Sequence, residues 1–475
     1  MAGYRPTVAA VVLALLLVSC GASRTVAAGE PPVQFPAGVL REQAKYWRPG
    51  DLLDSPPAGV FAKGEQVTIL DEQQIGDGRY RRVLWIGPAA RISGWVRADQ
   101  VAVDLSRQAR VRVELGALSL RRLWSPRQNT VVSPEGLHSV LRVLQEGARG
   151  ETRREIDALI GGIDGVAGSI QTEGFRSMDC LAVRTDAELT DSFVAFAAQR
   201  RLEIRRVRFD EPDRTSLNAW IEDQTASQIP EFFSPDSWKP SLHAIVLNVC
   251  HFREEWDAPF APHATRSRPF FRDRHDRVEV DMMHKAGHLA LFGDDALECD
   301  GAILPYHQSD IAAIVIVPRA IEGLGRLLER LDADTFGRLF ADMPPLARLP
   351  RGNGELLLPK FDLQGSVAFE QSLPLKTLQS PEADLSGMFR DRGLFVEKIP
   401  QRTRLRVDET GTEASAVTAA EIAKGAEEEA TVSKVVTADR PFAFLIVHWP
   451  TRTPLFIAAV GDPCPREAEP AAAEP

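Results

Sequence analysis

Residues 408–430 read DETGTEASAVTAAEIAKGAEEEA. The composition is that of a helix, because Ala and Glu are strong helix formers. The pattern is not: no apolar stripe recurs at helical spacing, and the stretch opens with Thr-Gly-Thr. At a period of two the residues sort into two sets. Thr412, Ala414, Ala416, Thr418, Ala420 and Ile422 are all small or apolar, whereas Glu413, Ser415, Val417, Ala419, Glu421 and Ala423 hold both charges. A chain sorted this way suits a strand with one face buried and one wet. Small side chains lose little rotamer entropy and offer no packing anchor, so they leave such a segment mobile until a sheet takes it. Gly411 supplies freedom for a backbone rotation at its start. The competing reading of the same letters is a solvated Ala/Glu helix, and the alternation argues against it.

Outward from this stretch, residues 108–464 alternate helical and strand patterns. In SPEGLHSVLRVLQEGARGETRREIDALIG, Leu137, Val140, Leu141 and Leu144 fall at i, i+3, i+4 and i+7, an amphipathic helix. Ser133-Pro134 opens it and Gly147 stops it. TSLNAWIEDQTASQI reads as a second helix with Ser216 as its N-cap. LHAIVLNVCHF, AILPY, IAAIVIVP, GELLLPKFDL and FAFLIVHW read as strands, several apolar on both faces and so deeply buried. Helices come early and strands dominate later, an α+β pattern. Before this region, EQVTILDE, RYRRVLWIG and ISGWVRADQVAV are short strands broken by Gly and Pro, which predicts a small all-β barrel over 46–105. Tyr80, Trp85 and Trp95 either line a groove on it or form its core. Residues 20–44 read as a tether and 465–475 as a disordered tail.

With 44% hydrophobic and 26% charged residues, the 475-residue chain can build a sizeable core. Its net charge of −10 speaks against a general nucleic-acid binder. Arg5 followed by the apolar run 8–18 is a signal-peptide pattern, too short for the roughly 20 residues of a spanning helix. It ends in Leu17-Val18-Ser19-Cys20, which resembles a lipobox. That implies a signal peptide over 1–19, lipidation of Cys20 and an exported, membrane-anchored lipoprotein of the bacterial envelope. Gly21 after the Cys is compatible with transfer to an outer membrane, so the outer membrane, periplasm or cell surface is expected. Cys180, Cys250, Cys299 and Cys464 are widely spaced and form no CxxC pair, so neither a zinc site nor a disulfide framework follows. Cys250 lies in an apolar run and reads as a buried thiol. No GxSxG, HExxH or P-loop occurs. His284 and His288 stand four apart but in a strand-like context, and RRLEIRRVRF (200–209) reads as one polar strand face. No metal, cofactor or catalytic constellation is expected.

The motifs taken in order resemble the serpin family. NTVVSPEGLHSVLRVLQEGARGETRREI is similar to its Asn-x-x-x-Ser-Pro…Gly-Ala-x-Gly-x-Thr segment, LNAWIEDQTASQI to its Asn-x-Trp-Val-x-x-x-Thr helix, and LNVCHFREEWDAPF to its Asn-x-x-x-Phe-x-x-x-Trp strand. VDMMH, ILPYH, LPKFDL, ADLSGMF, VDETGTEASAVT and RPFAFLIVHWPTRTPLFIAAVGDPC follow in family order. KGEQVTILDE, GRYRRVLW and SGWVRADQV likewise resemble a bacterial SH3-like domain, a type that often binds cell-wall peptides or acts as an adaptor. The resemblance implies a serpin fold with three β-sheets, about eight or nine helices and an exposed reactive loop, preceded by the SH3-like barrel. It implies a monomeric suicide-substrate inhibitor that forms a covalent complex with a serine protease. The cleaved loop then enters the central sheet as a new strand, a property of the family rather than a reading of these residues. About 14 residues at roughly 3.3 Å each carry the loop end on the order of 45 Å.

The resemblance also assigns residues. Glu409, Gly411, Thr412, Ala414, Ala416 and Thr418 form the hinge, and Trp256 belongs to the breach where the loop enters. Ser133 and Asn248 belong to a hydrogen-bonded shutter under the central sheet. There Gly136 replaces a second Ser and Gln401 a His, and Gln both donates and accepts. Counting forward from Glu409 puts the scissile bond near Gly425, and counting back from Pro441-Phe442 puts it near Ala430, so the loop is longer than usual. Lys424 is the basic residue in this window, and Lys424–Gly425 suits a trypsin-like protease with a carboxylate in its specificity pocket. Cleavage at Ala423, Ala426 or Ala430 suits an elastase-like one. The span between Thr152 and Cys180 is short for the helix that carries polyanion activation in some relatives, so no heparin-type activation is expected. No bulky or charged residue or Pro stands at an inward hinge position, which favours an inhibitor. The alternative is a non-inhibitory serpin-fold envelope protein whose SH3-like unit does the binding.

Overall fold

The computed structural model describes residues 37–40, 44–46, 59–61, 66–75, 78–86, 91–97, 101–162, 170–391, 393–396, 398–412 and 434–464. The first ordered element of the larger region is the helix Arg107–Leu123, capped by Ser106, whose hydroxyl accepts from Ala109 N at 3.2 Å. The helix Pro134–Gly147 starts and stops where the sequence places it. Ser133 caps it, Pro134 occupies the first turn, and Leu137, Leu141 and Leu144 are buried. Burial of each such side chain contributes about 1.5–3 kcal/mol. A third helix, Gly150–Ile160, packs beside these two.

The helix read from TSLNAWIEDQTASQI begins earlier than Ser216. It spans Glu211–Gln224, and Asp210 caps it by accepting from Asp213 N at 3.1 Å. Pro212 sits in the first turn, with Glu211 and Asp213 as acidic neighbours of the helix N-terminus. A complete N-terminal signal, with its cap at Asp210, thus lies upstream of Ser216. Asp191–Arg200, Leu324–Arg330 and Ala333–Phe336 complete seven α-helices among the described residues, against the eight or nine implied.

A nine-stranded sheet separates two cores. Its main path runs Lys434–Thr437, Gly352–Pro359, Arg277–Asp294, Cys299–Pro305, Ile311–Pro318, Phe442–His448, Thr453–Val460 and Thr130–Val132, and Arg266–Phe271 pairs with Arg277–Asp294 off that path. Every residue of Ile311–Pro318 is buried. Ala312, Ile314 and Ile316 face the helical core; Ala313, Val315 and Val317 face the other. A strand covered on both faces loses hydrophobic alternation, which is why IAAIVIVP reads as one apolar run.

The segment GELLLPKFDL is not a single strand. It breaks at Lys360 into Gly352–Pro359, in the nine-stranded sheet, and Phe361–Ala368, which pairs with Pro400–Val407 in another sheet. Pro359 has no N–H to continue a ladder, so the chain changes sheet there. Lys360 N instead donates to Asp281 O at 2.9 Å.

Near the N-terminus five strands form an antiparallel sheet in the order Arg91–Arg97, Gly78–Ile86, Gln66–Ile75, Ala37–Leu40, Val101–Asp104. Ala44–Tyr46 pairs with Gly59–Phe61. The larger sheet takes in Ala37–Leu40, from the segment read as tether. Val83, Trp95 and Val96 are buried, so Trp95 belongs to the core of this unit rather than to a groove.

One ion pair ties the first helices together. Arg112 Nε donates to Glu135 Oε2, and both side chains are almost wholly buried. Removing one partner of such a pair strands a desolvated charge. Arg112→Ala is expected to lower unfolding stability by about 3–5 kcal/mol, and Arg112→Met with Glu135→Leu by clearly less, as read by equilibrium urea denaturation.

Candidate functional site

Two separate sheets carry the site. Glu203–Val207, Phe175–Arg184 and Ala244–Phe252 form one; Glu254–Glu255, Gly411–Thr412, Pro400–Val407 and Phe361–Ala368 form the other. Among the described residues no backbone ladder joins Ala244–Phe252 to Pro400–Val407. Among the described residues the seam between them is bridged by backbone at one end only. There Gly411–Thr412 runs antiparallel to both sides, with Glu254 opposite Thr412, Glu255 opposite Gly411, and Val407 also opposite Thr412. Two residues of the opening stretch therefore already occupy the head of the seam.

Local chemistry places them there. Asp408 Oδ1 accepts from Thr410 N at 2.9 Å, Thr410 Oγ1 at 2.6 Å and Gly411 N at 3.3 Å, while Asp408 N donates to Gly411 O at 3.1 Å. The Asp-Glu-Thr-Gly sequence is thus an Asx-stabilised turn that reverses the chain. Gly411 is required for close approach: a Cβ there would lie 2.2 Å from Glu254 O. The demand in this state is steric.

Around the turn, Trp256 N donates to Thr410 O at 2.9 Å and its indole Nε1 to Asp408 O at 2.9 Å. The Trp256 ring stacks on Tyr306, with centroids 4.6 Å apart and planes 14° apart. The Tyr306 hydroxyl meets Thr412 Oγ1 at 2.6 Å, and burial pushes that phenol well above its usual range. Glu409 accepts from Thr265 Oγ1 at 2.8 Å and pairs with Lys360 Nζ at 3.0 Å. Burial opposes its charge, but the Thr265 and Lys360 contacts prevail and hold the carboxyl below its usual range.

Further along the seam, side chains stand where a ladder is missing. Gln401 bonds Ser133 twice: its Oε1 accepts from Ser133 N at 2.7 Å, and its Nε2 donates to Ser133 O at 3.1 Å. Ser133 Oγ donates to Leu455 O at 2.8 Å and accepts from Gly136 N at 3.2 Å. Cys250 Sγ, between the two halves, lies 3.4 Å from Ser133 Oγ and donates to Asn248 Oδ1 at 2.8 Å. Burial pushes that thiol up to about 12. Asn248 Nδ2 donates to Ser177 Oγ and Asp179 Oδ1, each at 2.8 Å, and Ser139 Oγ donates to Asp179 Oδ2 at 2.6 Å. Burial raises the Asp179 carboxyl, opposed by these two donors. At Gly136 a Cβ would come 2.5 Å from Asn248 Oδ1, so no second Ser fits.

The structure thus gathers Ser133, Asn248 and Gln401 at mid-seam, and Glu409, Gly411, Thr412 and Trp256 at its head. Ala414, Ala416, Thr418, Ala423, Lys424, Gly425, Ala426, Ala430 and Cys20 lie outside the described residues. Sequence reasoning missed Asp179, Ser177, Ser139, Thr265, Lys360 and Tyr306. For Asp179 a signal existed: a lone carboxylate in the middle of FRSMDCLAVR, an otherwise strand-like run. His284 Nε2 lies 3.2 Å from Glu355 across a strand pair, and among the described residues no cluster could hold a metal ion. Arg205, on the polar strand face, lies 4.7 Å over the Trp220 ring.

Comparison with known proteins adds a family. The serpin (serine protease inhibitor) family model matches residues 116–463. A serine protease inhibitor of Cyanea capillata is 29% identical over 357 residues, covering 71% of this chain and 93% of the relative. A leukocyte elastase inhibitor of Bos taurus is 28% identical over 364 residues, covering 71% and 94%. The solved structure of human glycosylated kallistatin superposes with a TM-score of 0.64 at 22% identity, over 75% of this chain and 98% of that one.

The Glu409 anchor has a defined pH signature. Its folded value lies below its unfolded one, so its stabilisation is complete above the usual carboxylate range and is lost as pH falls through the folded value. Glu409→Gln is therefore expected to cost about 1–2 kcal/mol at neutral pH and progressively nothing as pH falls below about 4.5, measured by denaturant unfolding across pH.

Proposed function

The chain belongs to the serpin family, and from that membership we propose that it is a suicide-substrate inhibitor of serine proteases that traps an acyl-enzyme by inserting its cleaved loop into the seam. The observation that carries this reading is the Gly411–Thr412 pair, hydrogen-bonded into the seam on both sides. Continued in the same register, position 414 would stand between Phe252 and Leu405, 416 between Cys250 and Thr403, and 418 between Asn248 and Gln401. These inward slots border buried side chains, and the residues due to enter them are Ala414, Ala416 and Thr418, small enough to pass. On the wet face Glu413 would fall between Arg253 and Arg406.

In this reading the protease serine attacks a loop carbonyl and forms an ester, the peptide bond breaks, and the new amine end departs. Insertion then outruns hydrolysis of the ester and drags the enzyme on the order of 45 Å. Lys424–Gly425 is the proposed bond for a trypsin-like target, and Ala423, Ala426 or Ala430 the positions for an elastase-like one. Cys20 as lipid anchor and an SH3-like unit over 46–105 would hold the inhibitor at a bacterial envelope. Incubation with trypsin or pancreatic elastase is expected to give an SDS-stable complex, and loop cleavage a marked rise in melting temperature. Cleavage with neither result would leave the non-inhibitory binding protein as the better reading. The loop fragment's mass identifies the bond.

Because the two arginines would receive Glu413, Arg253→Glu with Arg406→Glu is expected to slow insertion. More encounters should then end in cleaved inhibitor without complex, a several-fold rise in inhibitor consumed per protease trapped. Adding Glu413→Arg is expected to reverse it.

A further inference from the structure

A cavity of about 50 Å3 lies against the turn that holds the loop start. On the scale where one water needs roughly 10–15 Å3, it has room for a few heavy atoms. Its walls divide by chemistry: Trp256, Leu289 and Ile303 are apolar, whereas Lys285, Arg351 and Asp257 are charged.

Lys285 is the charged group of this wall without a salt-bridge partner among the described residues. Its ammonium donates to the Ala258 carbonyl and stands 5.2 Å over the Phe260 ring. Among the described residues no carboxylate lies within ion-pair reach of it. Asp257, the nearest candidate, is drawn instead to Arg351 at 3.8 Å and His307 at 3.9 Å. Burial brings the Lys285 amine down to about 8, with Asp257 opposing and Arg351 reinforcing the shift. A partly buried cation without a counter-ion is unfavourable, and an anion in the cavity would relieve it. The sum of Lys285, Arg351 and Asp257 is one positive charge, which complements a monoanion better than a dianion, and the apolar wall asks for hydrocarbon.

We propose that this cavity binds a small organic carboxylate, with the carboxylate on Lys285 and Arg351 and the aliphatic part against Trp256, Leu289 and Ile303. The occupant touches the segment that fixes the loop start. Asp257 N donates to Pro305 O at 3.0 Å, Trp256 N to Thr410 O at 2.9 Å and Phe260 N to Glu409 O at 2.8 Å. A filled cavity braces this turn and so steadies Gly411–Thr412 in the seam.

Titration calorimetry of the full chain with isobutyrate tests the site, with isobutyramide and inorganic phosphate as comparison probes. Isobutyrate is expected to bind, at least tenfold tighter than either, and Lys285→Gln is expected to weaken it at least tenfold. Equal binding of isobutyramide or phosphate, or no binding of isobutyrate, overturns the assignment. A second measurement needs no variant: isobutyrate is expected to protect Lys285 from trace acetic anhydride in wild-type protein, read by mass spectrometry, and to slow amide exchange at Thr410–Thr412. Unchanged Lys285 labelling also overturns it. These readouts are independent of protease inhibition, so failure of the inhibitor reading leaves them interpretable.

Discussion

A strand without a neighbour leaves its outward N–H and C=O groups outside any ladder. Among the described residues two such edges, Ala244–Phe252 and Pro400–Val407, lie beside each other without a ladder between them. The rest of the architecture answers to that seam. At mid-seam, Gln401 reaches from one strand to the Ser133 backbone, while Cys250 and Asn248 on the other strand join Ser133 to Ser177 and Asp179. Side-chain bonds of this kind contribute about 1 kcal/mol each. They hold the seam without the cooperativity of a full ladder.

The head of the seam is organised differently, by backbone. Asp408 turns the chain, Trp256 and Tyr306 clamp it, and the Glu409–Lys360 pair pins it to the place where the chain changes sheet. Pro359 has a part in this: the strand pairing ends there, Lys360 stands between the two strands with its N–H still on Asp281 O, and its ammonium pairs with Glu409. The nine-stranded sheet behind is packed on both faces and does not share the seam's openness.

Legibility varied with how local the governing interaction was. The helix Pro134–Gly147 was readable at its start, and near its end, because its cap, its first-turn proline and its apolar stripe are all written within it. The start of Glu211–Gln224 was misplaced because Ser216 looked like a cap while the complete signal at Asp210-Glu211-Pro212 lay upstream of it. The split at Lys360 was invisible because both halves are strand-like and nothing in the run marks a change of partner. Gly411 was recognised as special, but its reason is the approach of the Glu254 carbonyl, more than 150 residues away in sequence. Gly136 lacks a side chain because Asn248, Cys250 and Gln401, contributed by two distant strands, already fill that space.

By itself the sequence determined the class of fold, the order of its elements and the two-faced character of residues 411–423, since these follow from periodicity and from side-chain size along one segment. Tertiary structure alone decided that Ala244–Phe252 and Pro400–Val407 stand apart, that Gly411–Thr412 enters between them, and that Asp179 and Tyr306 belong to the site. Each of these depends on which surfaces meet across long sequence separations. Such meetings are set by the packing of whole sheets, and no local pattern of residues records them.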